Sequence, residues 1–89
     1  MINRELNIIN KLGLHARAAA KFVTTASGFS SNISLSLNGM QVNGKSIMGV
    51  MMLAAGQGSS LELKVKGDDE DEAVKALEAL VNDRFEEGE

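Results

Sequence analysis

Hydrophobic and polar positions recur with two different periods along this chain, and the switches between them outline its elements. Ile2, Leu6 and Ile8 share one parity while Asn3, Glu5 and Asn7 take the other, which predicts a strand over residues 2–9. Asn10 to Gly13 interrupts the pattern with polar residues and a glycine. From Ala16 to Ser27 the period lengthens. Ala19, Phe22, Val23 and Ala26 fall at i, i+3, i+4 and i+7, the stripe of an amphipathic helix. Gly28 stands just past its end, where a left-handed residue is expected.

Alternation returns at Ile33, Leu35 and Leu37, stops at Asn38-Gly39, and resumes with Met40 and Val42. Two alternating runs around Asn-Gly predict a β-hairpin, because both turn residues tolerate positive φ. Ser46 is suited to cap a short helix over residues 47–54, ended by Gly56-Gln57-Gly58. Leu61, Leu63 and Val65 alternate with Glu62, Lys64 and Lys66 as a fourth strand. The acidic run Asp68 to Glu72 suits a helix start, and Ala73, Val74, Leu77, Leu80 and Val81 make that helix's apolar stripe. The tail from Glu86 to Glu89 is expected to fray. The order is β-α-β-β-α-β-α. Four strands with one apolar face, and helices to cover it, imply a two-layer α/β sandwich.

Composition narrows the picture. The chain has 89 residues, 44% of them hydrophobic, which predicts one domain over residues 1–89. There is no Cys and one His, so disulfides, thiolate chemistry and His-cluster metal sites are excluded. No cofactor and no metal are expected. A net charge of −3 and only three aromatic residues argue against nucleic-acid binding. No window approaches the roughly 20 apolar residues of a membrane span. The N-terminal residues carry Arg4 and Glu5 and lack the apolar core of a signal peptide, so a cytoplasmic location is expected.

Chemistry concentrates at Gly13-Leu14-His15-Ala16-Arg17. His15 stands where loop becomes helix. The first helical turn leaves N–H groups without partners, beginning with Ala16, and an imidazole there is placed to carry a phosphoryl group. Arg17 adds a fixed cation with several donors for phosphate oxygens. Gly13 lets the backbone bend tightly, and Leu14 offers an apolar docking contact. A lone His equally fits an ordinary capping or surface role, and spacing alone leaves both readings open.

Other strings are weaker. Gly39 to Ser46 matches the G-x-x-x-x-G-K-S pattern of a phosphate-binding loop, but Met40 and Val42 alternate as a strand and Gly39 belongs to a hairpin turn. A nucleotide hydrolase on that string alone is a poor fit. Asp68 to Glu72 lacks the ligand spacing of a calcium loop. Ile47-Met48-Gly49-Val50-Met51-Met52 holds more apolar side chains than two helical turns can bury on one side. With Val50 and Leu53 inward, Ile47, Met48, Met51 and Met52 either fill gaps or form a docking patch.

Two segments carry a family resemblance: Asn10-Lys11-Leu12-Gly13-Leu14-His15-Ala16-Arg17, and Asn43 to Ala54 with Gly44-Lys45-Ser46-Ile47-Met48 at its start. Across about residues 2–85 the chain resembles the HPr family, the histidine-containing phosphocarriers of the bacterial phosphoenolpyruvate:sugar phosphotransferase system. The resemblance implies an open-faced β-sandwich, a four-stranded antiparallel sheet with three helices on one face. It implies that His15 accepts a phosphoryl group at Nδ1 from phosphorylated enzyme I and passes it to IIA domains. Arg17 and the Ala16 N–H would steady that group. Ser46 aligns with a serine modified by HPr kinase/phosphorylase. Leu14, Ala20, Lys45, Ile47, Met48, Met51 and Met52 would form the shared docking face of a monomer that turns over only with partner enzymes.

The chain departs from the family pattern at Ala18, where Pro usually follows the Arg. Thr24, Ser27 and Gly49 stand where many enteric relatives carry extra Lys, so weaker electrostatic steering is expected. The Leu12-to-Arg17 run and the acidic tail also resemble the nitrogen-related branch, whereas the intact Gly44-to-Met48 run favours an HPr proper. The competing reading is a regulatory interaction domain, read by its partners through its phosphorylation state.

Overall fold

A computed structural model describes residues 1–87. Strands β1 (Ile2–Asn7), β2 (Asn32–Leu37), β3 (Met40–Asn43) and β4 (Ser60–Lys66) form one sheet in the order β1-β4-β2-β3. Every neighbouring pair is antiparallel. The register sets Leu6 opposite Leu61 and Leu35 opposite Leu63, so the alternating apolar positions line one face. Helices α1 (Ala16–Ser27), α2 (Ile47–Met52) and α3 (Glu70–Asn82) supply the residues buried against it. Phe22, Val50, Leu77 and Val81 are buried with Leu35, Leu63 and Val65 in one cluster. Asn3, Ser34 and Lys64 pair across the opposite, polar face. The expected open-faced sandwich and its element order are found.

The hairpin has the backbone its sequence demands. Leu37 pairs with Met40, and between them Asn38 and Gly39 have φ of 51° and 86°. Other element ends differ from expectation. Gly28 is right-handed, at φ −76°, because α1 closes by tightening: Gly28 N–H reaches Thr25 O, and Phe29 N–H reaches Ala26 O. Likewise α2 stops at Met52, two residues short of the expected 54, and it is Ala54 at φ 51° that redirects the chain, before Gly56 is reached. Helix α3 starts at Glu70. Asp69 turns its carboxylate away to accept the N–H groups of Ser30 and Ser31 and the Ser31 hydroxyl.

The tail contradicts the expectation of fraying where it is described. After α3 a short 3-10 turn, Arg84–Glu86, buries Phe85 completely and carries Glu87 back across the molecule. The fraying expected of Gly88 and Glu89 falls outside the described residues.

Candidate functional site

The loop ahead of α1 is held by its own polar residues. Asn10 is fully buried and donates from Nδ2 to the Gly13 carbonyl at 2.8 Å, while Gly13 N–H returns to the Asn10 carbonyl at 3.2 Å. Gly13 has φ +68°, and a Cβ there would sit 2.5 Å from the Ala55 carbonyl oxygen. Only glycine fits that approach. Leu14 N–H then donates to the same carbonyl at 2.8 Å, which ties this loop to the segment just after α2.

This stitching corrects one docking expectation. Leu14 is 5% exposed and belongs to the core, whereas Leu12, two residues earlier, is 68% exposed. The left-handed turn at Gly13 rotates the chain between them. Leu12 is therefore the apolar side chain that this loop offers to solvent.

His15 is the N-cap of α1, with extended backbone, and its carbonyl accepts the first helical bond from Ala19 N–H at 2.8 Å. Its ring caps nothing. The N–H groups of Ala16, Arg17 and Ala18 precede the first helical bond and are left without helical partners. The ring instead turns to the C-terminal turn, where Nε2 donates to the Glu87 carboxylate. The other Glu87 oxygen accepts from Asn10 Nδ2 at 2.9 Å. Burial pushes the Glu87 carboxyl up, but the hydrogen bonds from Asn10 and His15 and the charges of His15 and Lys21 outweigh it, so the net direction is down. Glu87 is a site residue that sequence reasoning missed. It lies 72 positions from His15, and no local periodicity could have reported the contact.

An open cleft of about 620 Å³ fronts the ring, lined by Lys11, Leu12, Arg17, Lys21 and Glu86 among others. Lys21 is committed to the C-terminal turn: its ammonium donates to the Phe85 carbonyl at 2.8 Å and pairs with Glu86 at 3.5 Å. Arg17 is exposed and has no ion-pair partner among the described residues. A free guanidinium and free helix N–H groups beside an imidazole are a set of donors suited to phosphate oxygens. No cluster of three His, Asp or Glu side chains able to hold a metal occurs among the described residues.

The second constellation is α2. Ser46 caps it, its Oγ accepting from Gly49 N–H at 3.1 Å. Val50 and Leu53 are buried, and Met48 (70% exposed), Met52 (63%), Ile47 and Met51 face outward. Lys45 is half-buried, its ammonium donating to the Phe29 carbonyl at 2.6 Å, and Ala20 is half-buried on α1. Ser46 opens α2, whereas the Leu14–Ala55 bond joins the His15 loop beyond its other end. At 1.5 Å per residue, Ser46 and Met52 are about 9 Å apart along the axis. The GKS string does not form a phosphate-binding loop: Gly39 lies in the hairpin turn and the Lys45 ammonium donates to the Phe29 carbonyl.

The chain is similar to proteins already known. The family model for the PTS HPr component phosphorylation site matches residues 2–83. The phosphocarrier protein HPr of Cupriavidus necator is 58% identical over 89 residues, the whole of both chains. A solved HPr from Thermoanaerobacter tengcongensis superposes with a TM-score of 0.94 at 50% identity, covering 98% of each chain. A dimer of the protein from that organism has also been solved, with a TM-score of 0.77 at 50% identity, covering 96% of this chain and 98% of that one.

Proposed function

The chain belongs to the PTS-HPr family, and from that premise we propose that His15 accepts a phosphoryl group from phosphorylated enzyme I and passes it to IIA domains. In this reading the chain works as a single HPr-like domain in the cytoplasm. It holds a covalent phosphohistidine only as an intermediate of the relay and has no turnover of its own. The observation that carries the reading is the uncapped start of α1, where three N–H groups lack helical partners and His15 lines one cleft with Arg17, which has no ion-pair partner among the described residues. Phosphoryl transfer asks for positioning and charge stabilisation more than for elaborate acid–base groups, and an exposed guanidinium with open helix N–H groups beside the imidazole suits that charge stabilisation. A carrier must also release its load, and one guanidinium in an open cleft does not clamp it.

Incubation with enzyme I and phosphoenolpyruvate tests this by mass spectrometry. One acid-labile phosphate is expected on the wild type and none on His15→Ala. No transfer to the wild type from a competent enzyme I would overturn it.

Regulation at Ser46 by HPr kinase/phosphorylase is part of the proposal. A phosphate adds roughly −1.5 to −2 charges at the start of α2, whose outward face carries Met48 and Met52, and docking is expected to weaken by repulsion from an acidic partner. HPr kinase and ATP should yield an acid-stable phosphate that is absent in Ser46→Ala. The docking face in this reading comprises Ala20, Lys45, Ile47, Met48, Met51 and Met52, with the exposed Leu12 in place of the buried Leu14. The working state is the monomer, to be checked by sedimentation because the Thermoanaerobacter relative also forms a dimer.

A further inference from the structure

Among the described residues, one run of three consecutive non-glycine residues lies at positive φ: Arg84 (53°), Phe85 (54°) and Glu86 (65°). Left-handed backbone is disfavoured for side-chain-bearing residues, so such a run persists only where its surroundings over-determine it. Here they do. Phe85 is fully buried, its carbonyl receives Lys21 Nζ, and Glu86 pairs with the same ammonium. The turn has one consequence at the site, the placement of Glu87. One carboxylate oxygen is held by Asn10, which also holds the Gly13 carbonyl, and the other receives His15 Nε2–H. The carboxylate is thus fastened to the loop that carries the imidazole.

We infer that Glu87 is a positioning residue for His15, keeping the proton on Nε2 and presenting Nδ1 as the phosphoryl acceptor. A neutral imidazole has one N–H and one lone pair, and the hydrogen bond made by one nitrogen decides which is which. With Nε2–H given to Glu87, the lone pair is on Nδ1. In transfer, that lone pair forms the new N–P bond while the donor keeps the electron pair of the P–donor bond that breaks. No proton has to leave, because Nδ1 carried none. The ring becomes cationic, and Glu87 faces that charge through Nε2–H. The functional half of the inference rests on the acceptor role proposed for His15, whereas the proton's position does not.

Glu87→Ala and Glu87→Gln in the full chain test it. Long-range 1H–15N NMR of the unphosphorylated protein, about two pH units above the ordinary imidazole value, reads which nitrogen bears the proton. The wild type is expected to hold it on Nε2, Glu87→Ala to move a measurable share to Nδ1, and Glu87→Gln, whose amide oxygen still accepts, to restore Nε2. Transfer from phosphorylated enzyme I should lose about tenfold in kcat in Glu87→Ala, with KM within about twofold and partial recovery in Glu87→Gln. An unchanged proton distribution in Glu87→Ala, or a changed one with an unchanged transfer rate, overturns the inference. A wild type that accepts no phosphate defeats the acceptor role instead, and the NMR result still judges the placement.

Discussion

Helices α1 and α2 begin alike in backbone and differ in what the first side chain does. His15 and Ser46 are both extended N-caps whose carbonyls accept the first helical bond. Ser46 turns its hydroxyl inward onto Gly49 N–H and closes the helix end. His15 turns its ring away, towards Glu87, and leaves the first-turn N–H groups of α1 open. A cap is worth about 1 kcal/mol. The chain forgoes that stabilisation at the start of α1, where the donors stay open, and takes it at the start of α2, where Ser46 closes the helix end.

Gly13→Ala should break the His15 side of this comparison most severely. The new Cβ meets the Ala55 carbonyl at 2.5 Å in a backbone at φ +68°. We expect a loss of about 2–4 kcal/mol in urea unfolding, together with impaired phosphoryl acceptance. A midpoint like that of the wild type would mean that the loop relaxes freely.

Removing or supplying a cap sharpens the comparison directly. Ser46→Ala should cost about 1 kcal/mol and leave acceptance at His15 near normal. At α1, both His15→Ala and His15→Ser lose the Glu87 contact, so their difference isolates the cap. His15→Ser should be the more stable by about 1 kcal/mol, and neither should carry acid-labile phosphate. Equal unfolding midpoints for the pair would show that the start of α1 is not free to be capped.

The third helix start adds a pH dependence. Asp69 sits before α3, but its carboxylate serves another segment. The Ser31 hydroxyl first, and the Ser30 N–H next, lower its pKa from 3.8 to about 2. The unfolded chain therefore takes up this proton first. The stability that Asp69 supplies is complete above about pH 4 and is lost as pH falls towards 2. Asp69→Asn should flatten that acid limb of an unfolding profile, and a limb unchanged in the variant would assign it elsewhere.

The smallest effect is expected at Ala18. Its N–H precedes the first helical bond, so Ala18→Pro removes no hydrogen bond of α1. Stability should shift by less than about 1 kcal/mol, although the site is fully buried and the ring must find room. A larger loss, read by thermal unfolding, would show that this chain has repacked around alanine.

Much of this was legible from local pattern. The span of α1, the Asn38-Gly39 hairpin and the Ser46 cap all follow from periodicity and from the hydrogen-bonding habits of single residues, whereas the outward turn of the α2 methionines was one of two open readings until the fold placed them. So did the meeting of His15 and Arg17 at one helix start, because they are two residues apart. The errors share a cause. Leu14 and Leu12 look equivalent until Gly13 turns the chain between them. Asp69 looks like part of an acidic helix start until Ser30 and Ser31 arrive beside it. Glu87 looks like tail until Phe85 is buried and the left-handed turn swings it onto Asn10 and His15.

The sequence by itself determined the elements, the apolar face they share and the placing of His15 and Arg17 at one helix start, since each depends on neighbours a few positions away. Only the tertiary structure decided which leucine is exposed and which nitrogen of His15 is engaged. Those outcomes depend on groups tens of residues apart, brought together by burial of the core, and local periodicity has no means of encoding them.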